Sequence, residues 1–232
     1  MIYLKEQLVF LHFIQQWSSP YLDLFFCLLN FFDSQWYELL LVVFLWLVVS
    51  RQWAIRVAYL LLFNDMINYA SKQIWQMPRP FYFDERLAFV STSTSYGFPS
   101  GGTQLSTLLG LLFMCYCTWR WAWLLGSLYI LLISFSRMFL GVHFPLDILG
   151  GWALAAFVFA LFLLWGDKIE TFANTHPGES LARSVAVILV MVLLAPYQNV
   201  CILAVYGVLI GSTLYLLRCW QQCQKSITFE KT

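Results

Sequence analysis

The sequence predicts an all-α fold, a polytopic transmembrane helical bundle of about six to seven spans with extra N-terminal interfacial helices. Two observations predict it. Apolar residues make up 61% of the chain and charged residues only 11%, against about a quarter charged in soluble domains. The apolar residues also form several runs near the roughly 17 to 25 residues that a spanning helix needs. We expect residues 1–232 to form a single membrane domain.

The predicted helices follow the chain in order. Residues 4–16 form a short or interfacial helix, and residues 20–32 form a helix that Asp33-Ser34 interrupts. Clearer spans follow at 36–50, 54–77, 101–117, 121–140, 146–165, 181–195 and 199–218. Pro78 ends the span 54–77 and Pro145 marks the start of 146–165, because proline stops a helix but suits its first turn.

Counting the crossings places three segments on one side of the membrane: the end of 54–77, the start of 101–117 and the junction 140–146. Most of the cations lie at the opposite helix ends, which the positive-inside rule assigns to the cytoplasm. They are Arg51, Arg56, Arg120, Lys168, Arg183, Arg218, Lys225 and Lys231. We therefore expect a multi-pass protein of a bacterial inner membrane whose convergent face lies outside the cytoplasm.

Charge also limits the partners. The net charge is +1 and no basic stretch follows a helix face, so we expect no nucleic-acid binding. The partners predicted are membrane lipids and a lipid phosphate substrate, and nothing in the sequence defines an oligomeric state.

Polar residues at membrane level are costly and point to function. On the helix 54–77, Asp65, Asn68 and Lys72 are spaced to share one face, which we expect to look into the bundle. Arg79 follows directly after this helix ends. Lys72 and Arg79 therefore aim two positive charges at one region, which favours an anionic ligand.

Two further segments reach the same face. Ser100-Gly101-Gly102 opens the next span, where a serine N-cap and free N–H groups can bind phosphate. Arg137 closes the span 121–140 and adds a third cation. His143 and Asp147 follow it four residues apart, so the carboxylate can hold one imidazole nitrogen and leave the other to attack.

These segments resemble the signatures of the type-2 phosphatidic acid phosphatase (lipid phosphate phosphatase) superfamily, which is related in fold to vanadium haloperoxidases. Residues 72–80 match its KxxxxxxRP signature and residues 136–147 match SRxxxxxHxxxD, both with full spacing. Residues 99–102 read P-S-G-G where the family has PSGH. The resemblance covers roughly residues 60–165, the expected catalytic core.

The resemblance implies a lipid phosphatase that needs no metal or other cofactor. It implies a phosphate site made of cationic side chains and neutral donors, at Lys72, Arg79, Arg137, Ser100, Gly101 and Gly102. It further implies that His143 attacks phosphorus to form a phosphohistidine and that Asp147 orients the ring.

Gly102 departs from the family, whose histidine there protonates the leaving group. General acid help is worth about 10²- to 10⁴-fold for a poor leaving group, whereas a lipid phosphate leaving a diphosphate scarcely needs it. Gly102 therefore favours a lipid pyrophosphate substrate such as a polyprenyl diphosphate.

Several alternatives stay open. Thr103, Gln104, Tyr96 or a water could relay the proton, or position 102 could carry an engineered or inactivating replacement. The phosphohistidine could pass its phosphoryl group to a second lipid, which would make the protein a phosphotransferase. A catalytically impaired chain could bind or transport a lipid phosphate without turnover.

Overall fold

A computed structural model of the protein describes residues 2–87, 95–175 and 219. The described part of the chain is all-helical and contains no β-strand. Its longer helices are α1 (Ile2–Gln15), α2 (Pro20–Leu29), α3 (Gln35–Phe44), α4 (Arg51–Trp75), α5 (Gly101–Tyr116), α6 (Ala122–Phe139) and α7 (Pro145–Thr175). Short helical turns lie at Asn30–Asp33, Leu45–Val49, Pro80–Tyr82 and Glu85–Leu87.

Apolar helices of spanning length make the chain a membrane protein. Ala122–Phe139 and Pro145–Lys168 are each long and apolar enough to cross a bilayer. The bent pair Pro20–Asp33 and Gln35–Val49 adds a third crossing if it acts as one span. The predicted spans 181–195 and 199–218 lie outside the described residues, so the count of six to seven spans stays a prediction.

Most predicted helix boundaries hold to within a few residues, and α7 is the exception. We predicted a span over 146–165 followed by a connection, but the helix continues through Gly166 to Thr175. A glycine inside a helix costs only about 1 kcal/mol relative to alanine. The neighbouring helix formers can outweigh that cost, so the prediction of an end at Trp165 was wrong.

The chain divides into two compact units, and one of them, Met1–Glu38 with Phe63–Ala160, contains every candidate site residue. The other comprises Leu39–Leu62 and the chain from Leu161 onwards. All of the geometry that follows lies within the first unit.

Helices α5 and α6 pack closely because small residues line their crossing. A Cβ atom added at Gly110 would lie 2.6 Å from Cγ1 of Ile130, and one added at Gly126 would lie 2.5 Å from Cγ of Met114. Glycine at such positions lets two helix backbones approach each other. A tight turn joins the two helices, so the start of α5 lies at the same end as the finish of α6.

The N-terminal helices pack against the segment that leads from α6 to α7. One buried apolar cluster joins α1 and α2 to it through Ile14, Phe26, Phe139, Leu140 and Val142. The Gln15 amide also donates hydrogen bonds to the carbonyl of Phe139 at 2.8 Å and to that of Leu87 at 3.0 Å. Although they carry no signature, α1 and α2 therefore brace the chain around the third signature.

Buried amides connect α4 to the start of α5. The Gln104 amide donates to the Asn64 side chain at 2.9 Å, and its oxygen accepts from the Asn68 amide at 2.8 Å. Asn68 also donates to the carbonyl of Pro99 at 3.4 Å. We call Asn64, Asn68 and Gln104 the amide ladder. These hydrogen bonds fix the position of α4 along the axis of α5.

Candidate active site

Arg79 is buried where the chain leaves α4, with 6% of its surface exposed. Its Nε donates to the carbonyl of Ser95 and its Nη2 to the Ser95 hydroxyl, both at 2.8 Å. Its Nη1 donates to the carbonyl of Val142 at 3.4 Å. Arg79 therefore ties the first signature to the backbone beside His143.

Lys72 lies one turn before the end of α4 and is half-buried. It interacts electrostatically with Arg79 and with the carboxylates of Asp33 and Asp147.

Asp65 has accessible surface, but it interacts electrostatically with Lys72 and with Asp33. It also shares a hydrogen bond with the buried Glu38. Asp65 and Lys72 therefore face the same region, as their spacing predicted, and Asn68 of the same face belongs to the amide ladder.

Ser100 caps α5, as its sequence position predicted. Its side-chain oxygen accepts from the backbone N–H of Thr103 at 3.5 Å, and its own N–H donates to the carbonyl of Asp147 at 3.0 Å. A Cβ atom at Gly97 would lie 3.3 Å from both Arg79 and Asp147. The second signature is therefore packed between the first and the third.

His143 and Asp147 form the buried pair that their spacing predicted. His143 Nδ1 lies 3.3 Å from Asp147 Oδ2, and each residue is only 2% exposed. The same carboxylate oxygen accepts from the backbone N–H of Phe144 at 2.8 Å. Gly141 allows the preceding turn, because its φ of +67° is disfavoured for residues with a Cβ atom. Asp147 thus holds both the ring and the backbone that carries it.

The electrostatic surroundings of His143 favour its neutral ring. Burial lowers the pKa of His143 well below its ordinary value of 6.5, and the positive charges of Arg79, Lys72 and Arg137 lower it further. A hydrogen bond to the backbone of Gly97 opposes these effects. The imidazole is therefore unprotonated at neutral pH, which is the form that can act as a nucleophile.

This lowered pKa gives a stability prediction. Below about pH 6.5 the unfolded chain protonates His143 but the folded chain does not, so folding stability should fall by up to about 1.4 kcal/mol per pH unit until the folded pKa is reached. His143→Gln removes this contribution. Thermal unfolding in detergent at pH 7.5 and 5.5 should show a smaller acid-induced loss for the variant than for the unmodified chain. Equal losses would contradict a depressed pKa.

Comparison with known proteins agrees with this geometry. A sequence model of the PAP2 superfamily matches residues 53–170, just over half of the chain. The chain belongs to the PAP2 superfamily. The match includes all three signatures, and it does not extend to α1 or α2.

Individual PAP2 relatives match over shorter stretches. An undecaprenyl-diphosphatase of Sulfolobus acidocaldarius is 31% identical over 94 residues, 40% of this chain and 45% of that protein. The undecaprenyl-diphosphatase BcrC of Bacillus subtilis is 28% identical over 109 residues, 47% of this chain and 55% of that protein. The chain therefore spans about half the length of these curated relatives.

A solved PAP2 structure shares the fold. It is a transmembrane PAP2-type phosphatidylglycerolphosphate phosphatase from Bacillus subtilis, with a TM-score of 0.59 and 18% sequence identity. The similarity covers 71% of this chain and 86% of that one.

Arg137, the cation of the third PAP2 signature, has partners that the signatures do not include. The residue is 1% exposed, and its Nη1 donates to Asn30 and to Asp33, both at 2.7 Å. Its Nε and Nη2 donate to the Ser136 hydroxyl at 3.2 Å. The short turn Asn30–Asp33 therefore brings an acidic side chain to the candidate site.

Asp33 also occupies the space beside Gly102. A Cβ atom added at Gly102 would lie 2.6 Å from Cγ of Asp33 and closer still to Oδ1. Any larger residue at position 102 would displace Asp33. The missing PAP2 histidine and the presence of Asp33 are thus linked by steric exclusion.

Sequence reasoning missed Asn30, which it placed inside the helix 20–32, and Asp33, which it treated as a helix break. One signal could have identified Asp33, since a carboxylate inside an apolar run is costly and marks a functional position. Within the described ranges, no group of three or more His, Cys, Asp or Glu residues could hold a metal ion. The expectation that no metal cofactor is needed remains a prediction.

Proposed function

We propose that this protein is a membrane-embedded lipid phosphatase that works through a phosphohistidine at His143. The observation that carries the proposal is the buried His143–Asp147 pair, whose ring is neutral and lies in the field of Lys72, Arg79 and Arg137. A neutral, oriented nucleophile beside three cations suits attack on an anionic phosphoryl group.

In the first step the three cations bind the phosphoryl oxygens, and the Ser100 hydroxyl and Gly101 amide act as neutral donors. His143 Nε2 attacks phosphorus while Asp147 holds Nδ1 and stabilises the positive charge that develops on the ring. In the second step water attacks the phosphohistidine and releases phosphate. Positioning and charge stabilisation supply most of the rate, as is usual for phosphoryl transfer.

A polyprenyl diphosphate is the substrate we favour. Two sequence relatives bear the name undecaprenyl-diphosphatase, although each matches over about half of its length. Gly102 supports the same choice, because the histidine expected to protonate a poor leaving group is absent. Asp33 weakens that second argument, since a carboxyl group takes the histidine's place.

We further propose that residues 1–232 form one membrane domain with about six to seven spans and a catalytic core at about 60–165. The positive-inside rule favours a site on the non-cytoplasmic face of a bacterial inner membrane. Cysteine labelling from either side of sealed vesicles, at exposed Glu85 in the same connection between α4 and α5, tests the orientation.

A phosphate-release panel tests the substrate. Purified full-length protein would be given a polyprenyl diphosphate, phosphatidylglycerol phosphate, phosphatidate and a phosphorylated lipid A. We expect the diphosphate to have the highest kcat/KM, because its leaving group is the most stable anion. Faster release from any of the monoesters would contradict the diphosphate, and transfer of phosphate to a lipid instead of water would identify a phosphotransferase.

A further inference from the structure

We propose that the carboxyl group of Asp33 is the proton donor to the leaving group, acting in the space that Gly102 leaves open. This inference rests on the proposed phosphatase function and adds a catalytic residue that lies outside all three signatures. Asp33 reaches the site from the N-terminal part of the chain, on the turn Asn30–Asp33 that follows α2.

The position of Asp33 is set by contacts on two sides. On one side its carboxylate accepts from Arg137 Nη1 at 2.7 Å. On the other side it fills the volume next to the α5 backbone at Gly102. Ser34 then ends the turn, its hydroxyl donating to the carbonyl of Phe31 at 2.6 Å and its N–H to the same carbonyl at 3.0 Å. Asp33 is thus positioned by the turn that contains it as well as by Arg137.

The charges around Asp33 belong to the phosphate site. Besides its ion pair with Arg137, it interacts electrostatically with Lys72 and with Arg79. A phosphoryl group bound by these three cations would therefore lie next to the Asp33 carboxyl. The side chain is 30% exposed, so water can reach it.

The other polar groups near Gly102 are less suited to protonate the leaving group. The Gln104 amide is fully engaged in the amide ladder. Thr103 faces α7, since a Cβ atom at Gly151 would lie 3.1 Å from the Thr103 Cβ. Tyr96 is 36% exposed, and a phenol is a weak acid near neutral pH. A carboxyl group is the better donor.

The proton balance is complete without a further reactant. A phosphate monoanion binds with its own proton, which passes to the Asp33 carboxylate as the cations take up the phosphoryl charge. The bond from His143 to phosphorus forms, the bond to the leaving oxygen breaks, and that oxygen takes the Asp33 proton. Asp33 then accepts a proton from the water that cleaves the phosphohistidine and passes it to the departing phosphate, which leaves as a monoanion and restores the Asp33 carboxylate and the free imidazole.

Leaving-group dependence tests this role. Asp33→Asn keeps an oxygen for Arg137 but cannot transfer a proton. Full-length protein would be assayed with phosphatidate, whose alkoxide leaves poorly, and with 4-nitrophenyl phosphate, whose phenolate leaves well. We expect the variant to lose about 10²- to 10⁴-fold in kcat on phosphatidate and less than about tenfold on 4-nitrophenyl phosphate.

The matched control is Asp23→Asn, which alters a carboxylate on α2 that accepts from Ser18 near the surface. It should leave both rates unchanged. Equal loss on both substrates in Asp33→Asn would overturn the proposal, because a role through Arg137 alone would not depend on the leaving group. Unchanged rates would overturn it as well.

A second pair of variants tests whether a side chain at position 102 and Asp33 compete for the same space. Gly102→His alone should lower activity, because the new side chain collides with Asp33. In Asp33→Ala, adding Gly102→His should restore phosphatidate hydrolysis, since an imidazole then enters the vacated space. A gain from Gly102→His with Asp33 still present would overturn the proposal. If the unmodified chain releases no phosphate from these two substrates or from a polyprenyl diphosphate, the proposed function fails, and the proton donor with it.

Discussion

His143→Ala should abolish phosphate release, with a loss on the order of 10³-fold or more, because removal of a nucleophile leaves only the contribution of substrate binding. The ring is 2% exposed, so the substitution leaves a cavity and no new surface group. Release of inorganic phosphate by purified protein measures the loss. Mass spectrometry of acid-labile phosphate on the protein should show a phosphohistidine in the unmodified chain and none in the variant.

The chain offers a matched control for this experiment. His12 forms an ion pair with Asp84, with its Nε2 3.2 Å from Oδ2, but their side chains are 47% and 31% exposed. His12→Ala therefore removes a histidine with a carboxylate partner away from the cation cluster, and it should retain activity. Residual turnover in His143→Ala close to that of His12→Ala would refute the phosphohistidine at His143. A cellular phenotype that His143→Ala keeps, with no phosphate release by the unmodified chain, would favour a lipid-phosphate binder or transporter.

Asp147→Asn should be the second most damaging change, with a loss of about 10²- to 10⁴-fold in kcat. An amide oxygen can still accept from Phe144 and from His143, so the substitution removes charge while keeping the hydrogen bonds. The lost charge is the one that stabilises the ring as it becomes positive. Single-turnover kinetics should show slower formation of the phosphohistidine.

Asp84→Asn provides the corresponding control, since it neutralises the carboxylate of the exposed histidine pair. It should change kcat by less than about twofold, because exposed ion pairs contribute little. A loss in Asp147→Asn that appears only in KM would show that the carboxylate serves binding and not the developing charge on the ring.

Local features of the chain were the easiest to predict. Ser100 caps α5, and Pro145 begins α7 so that His143 and Asp147 meet across one turn. Each of these follows from residues within five positions of one another, where helix geometry alone fixes the distance. The spacing inside the signatures is a local property of the same kind.

Contacts between distant segments could not be read in this way. Asp33 and Arg137 are 104 residues apart, and only the packing of α2 and its following turn brings them together. The partners of α4 could not be predicted either, because Asn64 binds Gln104 40 residues away. Periodicity shows which residues share a face, but not which neighbour that face meets.

The amide ladder aligns α4 with α5 without using the charged residues of the candidate site. Asn64, Asn68 and Gln104 set the register of α4 against α5 with neutral groups, and such interhelical bonds are worth about 0.6 kcal/mol each in membrane proteins. Neutral groups neither titrate near neutral pH nor respond strongly to salt. The positive charge around His143 can therefore be varied by ligand, proton or counterion while the scaffold that spaces Lys72 from Ser100 keeps its alignment.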